Sequence, residues 1–221
     1  VIAGPAVDVN GVTGRFGARY VASRVSYAIA GHAALDAYAE HGRDVDVVLL
    51  GCFGDPALFA LRELADVPVV GMAEASCQAA AKRGRFSIVT GGERWGPMLE
   101  EFLASIDLAS KLASIKCVAP TGGDIARNPE GSLALLAEAC RACVKEDEAE
   151  VVVLAGAGLA GLASQIAASV PVPLIDSFEA MLRAGLAAAD TKFKKPVSGS
   201  FARTPAVETV GLAPALTKAM R

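Results

Sequence analysis

The chain has 221 residues, 53% of them hydrophobic, and a net charge of −3, which suits one large or two small α/β domains. Near-neutral charge with one short basic cluster at 192–195 argues against nucleic acid as a partner. No apolar run reaches transmembrane length and no charged-then-apolar leader opens the chain, so no membrane role is expected. Five cysteines, at 52, 77, 117, 140 and 143, do not make a disulfide framework. They point to a cytoplasmic protein with reduced thiols.

Val1–Gly4 reads as a strand. Residues 4–20 are rich in Gly, Pro and Asn and read as a long loop, either a substrate lid or simple chain-end disorder. A helix is expected over Ala28–His41. It holds both histidines, His32 and His41, which have no metal or triad pattern beside them and read as surface or core residues. Val45–Pro56, VDVVLLGCFGDP, then reads as a strand buried on both faces, followed by a turn. Asp55 followed by Pro56 is a helix-start signal, a side-chain cap before proline. Cys52 therefore falls near a helix N-terminus, where partial positive charge favours thiolate.

A helix over Pro56–Ala65, a strand over Val67–Gly71 and a helix opening at Glu74 and ending near Lys82–Gly84 follow, with Cys77 read as core. Strand Arg85–Thr90 ends in Gly91-Gly92, where backbone N–H groups and the Thr90 hydroxyl suit an anionic oxygen. Helix Gly96–Ser105 and strand Ser114–Ala119 come next, closed by the polar turn Thr121-Gly122-Gly123-Asp124. Helix Ser132–Glu146 carries Cys140 and Cys143 at CxxC spacing. With no second pair and no histidine, core packing is favoured over a metal, and no metal is expected. The tail is read as helix Phe178–Ala189, an irregular stretch and a short helix near Pro214–Met220.

An internal repeat organises these elements. Glu150–Leu162, EVVVLAGAGLAGL, repeats the Cys52 stretch 104 residues later, with Leu154 matching Leu50, Gly158 matching Gly54 and Leu162 matching Leu58. After one inserted residue, Val67–Ala75 pairs with Val172–Ala180. Gly156 stands at the position of Cys52. The GxGxxG of Gly156–Gly161, with Asp176 twenty residues on, also fits a dinucleotide fingerprint. The repeat already accounts for the unit, however, and too little chain follows to complete a nucleotide domain. The domains are expected at 1–84 plus 178–221 and at 85–177. Comparing the halves, one strand and one helix are expected ahead of Val1.

The segments GCFGDPAL, RELADVPVVGMAEA, GRFSIVT, EDEAEVVVLAGAGLAGL and VPLIDSFEAMLRA resemble the aspartate/glutamate/hydantoin racemase superfamily, most closely its hydantoin and allantoin racemase branch. The resemblance implies two similar Rossmann-like parallel-sheet domains related by a pseudo-twofold. Their cleft would hold a cofactor-independent active site with one cysteine from each domain. Cys52 matches the first catalytic cysteine, and Phe53 and Gly54 follow it in a turn that supplies backbone donors. Thr90 and Gly91 match a pair of hydroxyl residues that hold substrate oxygens, of which only the first hydroxyl remains. The second cysteine would stand at Gly156, and Ala157 and Gly158 keep only the turn. The family's Asn-Pro-Asn-Thr type motif at the first strand is absent, in keeping with an expected missing segment.

The implied substrate is a small molecule, a hydantoin or amino-acid derivative, and the implied assembly a homo-oligomer. A hydrogen α to a carbonyl is acidified when donors hold the developing enolate oxygen, and a thiolate then removes it from one face. Two-base racemisation needs a second group opposite, which Gly156 cannot supply. A one-cysteine lyase of the arylmalonate decarboxylase type, or a non-catalytic small-molecule binding protein on the same scaffold, are the alternatives.

Overall fold

A computed structural model describes residues 4, 6–42 and 44–221. The strand expected over Val1–Gly4 lies, apart from Gly4 itself, outside the described residues. In chain order the helices are α1 (Arg24–His41), α2 (Leu58–Leu64), α3 (Met72–Ala81), α4 (Trp95–Ser105), α5 (Gly122–Arg127), α6 (Pro129–Asp147), α7 (Leu162–Ile166), α8 (Ser177–Ala189) and α9 (Pro214–Ala219). The strands are β1 (Val48–Leu50), β2 (Val69–Gly71), β3 (Phe86–Gly91), β4 (Leu112–Val118), β5 (Val151–Ala155) and β6 (Leu174–Asp176).

The chain divides into two compact units. One comprises the residues up to Leu50, Pro56–Val70 and Arg183–Arg221; the other comprises Gly51–Asp55 and Gly71–Leu182. This partition follows packing, whereas the 84/85 and 177/178 boundaries follow the internal repeat.

In the first unit, residues 6–20 form no helix or strand. Arg15 nevertheless anchors that stretch, donating from Nε (2.6 Å) and Nη2 (2.8 Å) to the buried carboxylate of Asp36 on α1. α1 begins four residues before the expected start because Ser23 and Ser26 form a reciprocal capping box. Among the described residues β1 and β2 make a two-stranded sheet. All three residues of β1 are half-buried, which corrects the expectation of a strand buried on both faces. A parallel strand covered on both faces is buried at every residue, and no residue of β1 is.

Lys195, in the irregular tail, donates from Nζ to the carbonyls of Arg62 (2.6 Å), Glu63 (2.6 Å) and Ala65 (2.8 Å) at the end of α2. A cation suits a helix C-terminus, where carbonyls lack partners. Arg203 pairs with Asp66 just beyond.

The second unit holds a four-stranded parallel sheet of order β4-β3-β5-β6. Every residue of β3 and β5 is buried, as befits central parallel strands covered on both faces. Val89, Val152 and Leu154 face a cluster with Leu136, Cys140 and Cys143 of α6 and Leu162 and Ile166 of α7. The alternate positions Ile88, Val151 and Val153 are equally buried and point the other way. α3 packs on β5 and β6, with Met72, Ala73 and Cys77 wholly buried.

α5 replaces the plain turn expected at 121–124. Thr121 and Asp124 form a capping box, and Asn128 then caps α6 ahead of Pro129, so α6 starts three residues before Ser132. Among the described residues no helix is long and apolar enough to cross a membrane. Lys195→Met is expected to lower stability by about 1–3 kcal/mol by leaving three carbonyls without their charged donor. Thermal unfolding measures the loss, and trypsin should cleave the freed tail faster.

Candidate active site

The four parallel strands end on one edge of their sheet, the edge where open α/β sheets take ligands. The loops following β3, β4 and β5 meet there with the start of α8, and the Cys52 turn belongs to the same compact unit. That turn is closed by the Asp55 N–H donating to the Cys52 carbonyl (2.9 Å). Asp55 adopts φ 53°, Ala57 φ 65° and Gly54 φ 113°.

Asp55 does not cap α2. That helix starts at Leu58 behind Ala57, with no side-chain cap. The Asp55 carboxylate instead accepts the N–H groups of Ala73 (2.9 Å) and Glu74 (2.8 Å) in the first turn of α3. The reason is steric and electrostatic. α3 is preceded by Gly71, which has no side chain to cap with, so its orphan donors take a carboxylate from elsewhere. A Cβ at Gly71 would collide with that carboxylate.

Cys52 is half-buried. Burial, and then the negative charge of Asp55, push its thiol up to about 12. This corrects the expectation that a helix terminus would favour thiolate. Half a unit of dipolar charge is outweighed by desolvation plus a full negative charge nearby. Phe53 and Gly54, which follow Cys52, are buried.

On the sheet edge, Thr90 and Gly156 are neighbours: a Cβ built on Gly156 would lie 3.8 Å from Thr90 Oγ1 and 3.9 Å from Leu159 Cδ1. There is space at Gly156 for a side chain, but its backbone, at φ 116° and ψ 147°, is in a region nearly confined to glycine. The Thr90 hydroxyl donates to the Ala155 carbonyl (3.0 Å), leaving its lone pairs to accept. The Gly156 N–H donates to the buried Ser177 Oγ (3.1 Å). Gly91 and Gly158 both lie against the backbone at Gly122, so the loops after β3, β4 and β5 touch main chain to main chain. Among the described residues, the N–H groups of Phe53, Ala157 and Gly158 donate to no protein acceptor.

The Cys52 turn and this rim are joined through α3. Asp55 holds its first turn, and Ser76 Oγ donates to Met72 O (2.5 Å) and Ser177 O (3.3 Å). Ser177 in turn holds Gly156. Ser177, Gly122 and the true role of Asp55 are missed by sequence reasoning. One signal was present: the repeat pairs Asp55 with Leu159 and Gly71 with Asp176, an acid exchanged between opposite ends of the unit.

The remaining candidates lie outside this arrangement. Cys77, Cys140 and Cys143 are wholly buried, in line with core roles, and burial raises the thiols of all three. Cys117 is half-buried in β4. His32 is exposed, with its ring 5.0 Å from that of Phe16, and His41 is exposed at the end of α1. Asp176, the acid of the dinucleotide pattern, is engaged by backbone: it accepts from Gly161 (2.6 Å), Phe178 (3.0 Å) and Glu179 (3.1 Å). Among the described residues no group of three or more His, Cys, Asp or Glu side chains is placed to hold a metal ion.

A parallel α/β fold with a thiol turn and a glycine-lined strand edge in one compact unit is of a racemase type. The chain belongs to the Asp/Glu/Hydantoin racemase family, whose model matches residues 1–185. It is 37% identical over 133 residues to hydantoin racemase from Pseudomonas sp. (strain NS671), a match covering 60% of this chain and 53% of that protein. The chain thus spans about half the length of that relative. The crystal structure of allantoin racemase from Pseudomonas fluorescens superposes with a TM-score of 0.90 at 26% identity, covering 95% of this chain and 90% of that one. A liganded double mutant of arylmalonate decarboxylase, with one glycine changed to cysteine and one cysteine to serine, shares the fold at a TM-score of 0.59 and 18% identity, covering 78% and 79%.

Gly156→Ala is expected to cost about 1–3 kcal/mol through backbone strain alone. Gly158→Ala should cost more, because its methyl would strike the Gly122 backbone. Urea unfolding midpoints of the two variants measure both effects.

Proposed function

We propose that this chain is a cofactor-independent isomerase that moves the α-hydrogen of a hydantoin or related amino-acid derivative, with Cys52 as its acid–base group. The observation that carries this reading is the placement of a half-buried Cys52 thiol in a turn of a racemase-family fold. The Cys52 thiolate takes the hydrogen α to the substrate carbonyl, and the resulting thiol returns it. The free N–H groups of Phe53, Ala157 and Gly158 suit the developing enolate oxygen, because fixed donors stabilise such charge without reorganising. Gly156 supplies no thiol on the opposite face, so the proton delivered there comes from water.

A second reading is favoured by one observation, the strongly raised thiol of Cys52. A one-cysteine lyase forms its enolate by losing CO2 from a malonate-type substrate, needing no base. Cys52 S–H then protonates carbon on one face and is itself reprotonated by solvent. A cysteine kept protonated fits this role directly.

The test is one enantiomer of a 5-substituted hydantoin in D2O, followed by NMR and polarimetry. Deuterium should enter faster than rotation is lost, and Cys52→Ser should abolish exchange. Because the thiol sits at about 12, base catalysis by Cys52 raises the exchange rate about tenfold per unit between about pH 7 and pH 10. Malonate decarboxylation without hydantoin exchange, level over that range, would establish the lyase instead. Saturable binding without either reaction would leave a binding protein.

A further inference from the structure

We propose that Asp55 is the positioning residue for Cys52, tying the Cys52–Asp55 turn to the first turn of α3 through both carboxylate oxygens. The proposal rests on the reading above in which Cys52 carries the proton. Asp55 is 1% exposed, and its oxygens accept from Ala73 and Glu74 at 2.9 and 2.8 Å. Its own N–H closes the turn on the Cys52 carbonyl. A non-glycine residue at φ 53° persists where its surroundings over-determine it, and these three bonds do so.

The second copy of the repeat makes the same tie from the other end. Asp176, at the counterpart of Gly71, accepts from Phe178 and Glu179 in the first turn of α8 and from Gly161 beyond the Gly156 turn. Leu159, the counterpart of Asp55, is a buried apolar residue. Each turn is thus joined to the start of the helix after the next strand, with the acid on opposite sides. A requirement on the position of the turn produces this pattern; simple inheritance from a duplicated ancestor would keep the acid in one place.

The tie has an electrostatic cost. Asp55 stands near two thiols, Cys52 on its own turn and Cys77 on α3, and its charge makes both harder to ionise. Glu74 is the other acid at the start of α3. A neutral amide at 55 could accept from only one of the two N–H groups, since its NH2 would face the other donor. Asp55→Asn therefore lightens the charge on Cys52 while halving the tie. The two consequences have opposite signs, which makes the role measurable.

The experiment measures Cys52 alkylation by iodoacetamide against pH, located by mass spectrometry, alongside hydantoin exchange. Asp55→Asn should lower the alkylation midpoint by about half a unit or more while exchange falls about tenfold or more. Gly71→Ala, which displaces the carboxylate but keeps its charge, should lose exchange to a similar degree without the midpoint falling. An unchanged midpoint in Asp55→Asn, or exchange within about twofold of the parent in both variants, overturns the proposal. Should the variants not fold, hydrogen exchange in the unaltered protein decides. The amides of Ala73 and Glu74 should be as slow as those of β5, and fast exchange there overturns the tie. Full activity in Cys52→Ser would overturn the role of Cys52, while the alkylation and hydrogen-exchange readings would still judge the bond itself.

Discussion

The bond between the Asp55 carboxylate and the first turn of α3 is the constraint on which the candidate site depends. The Cys52 turn follows β1, a strand of three half-buried residues, which offers little to hold it. α3 is a buried helix packed on β5 and β6, and a charge-assisted bond to its N-terminus is strong and directional. Further along α3, Ser76 reaches Ser177, and Ser177 holds Gly156. One helix thus serves as a common mount for a thiol turn and a glycine turn.

Burial first, and the same carboxylate second, keep Cys52 from being a ready thiolate. A helix terminus contributes a partial charge that fades within one turn. Burial and a whole negative charge act at closer range and in the opposite direction. The arrangement favours position over reactivity. A thiol so held gives up a proton to a strong base such as an enolate more readily than it takes one from a weak carbon acid. That asymmetry separates the isomerase and lyase readings more sharply than the shared fold does.

Most of the architecture was legible because it rests on local signals. Runs such as Val151–Ala155 and Phe86–Gly91 announce buried parallel strands, and the repeat paired Gly156 with Cys52 in sequence without coordinates. Asp55 was misjudged for a physical reason: Asp-Pro is a local cue for capping the next helix, but a positive φ turns the carboxylate toward donors 18 and 19 residues away. The contact of Gly91 and Gly158 with Gly122 is tertiary and leaves no periodic trace. α5 was hidden by two glycines in its first turn, which lower helix propensity, although the Thr121–Asp124 box was there to be read. The half-burial of β1 depends on what covers its faces, which an apolar run does not reveal.

The division of the chain carries a consequence for biogenesis. The second unit is nearly continuous, from Gly71 to Leu182, and needs only the five residues Gly51–Asp55 from upstream. The first unit is assembled from three stretches, and Lys195 and Arg203 of the last one fasten onto α2 and Asp66. During synthesis, domains form as their residues emerge, so the parallel sheet is complete while the first unit still lacks its final stretch. Contacts spanning about 130 residues, as between Lys195 and α2, are slow to find because the loop they close is long. The order of emergence thus makes α3, the partner of Asp55, available before the last stretch of the first unit has been made.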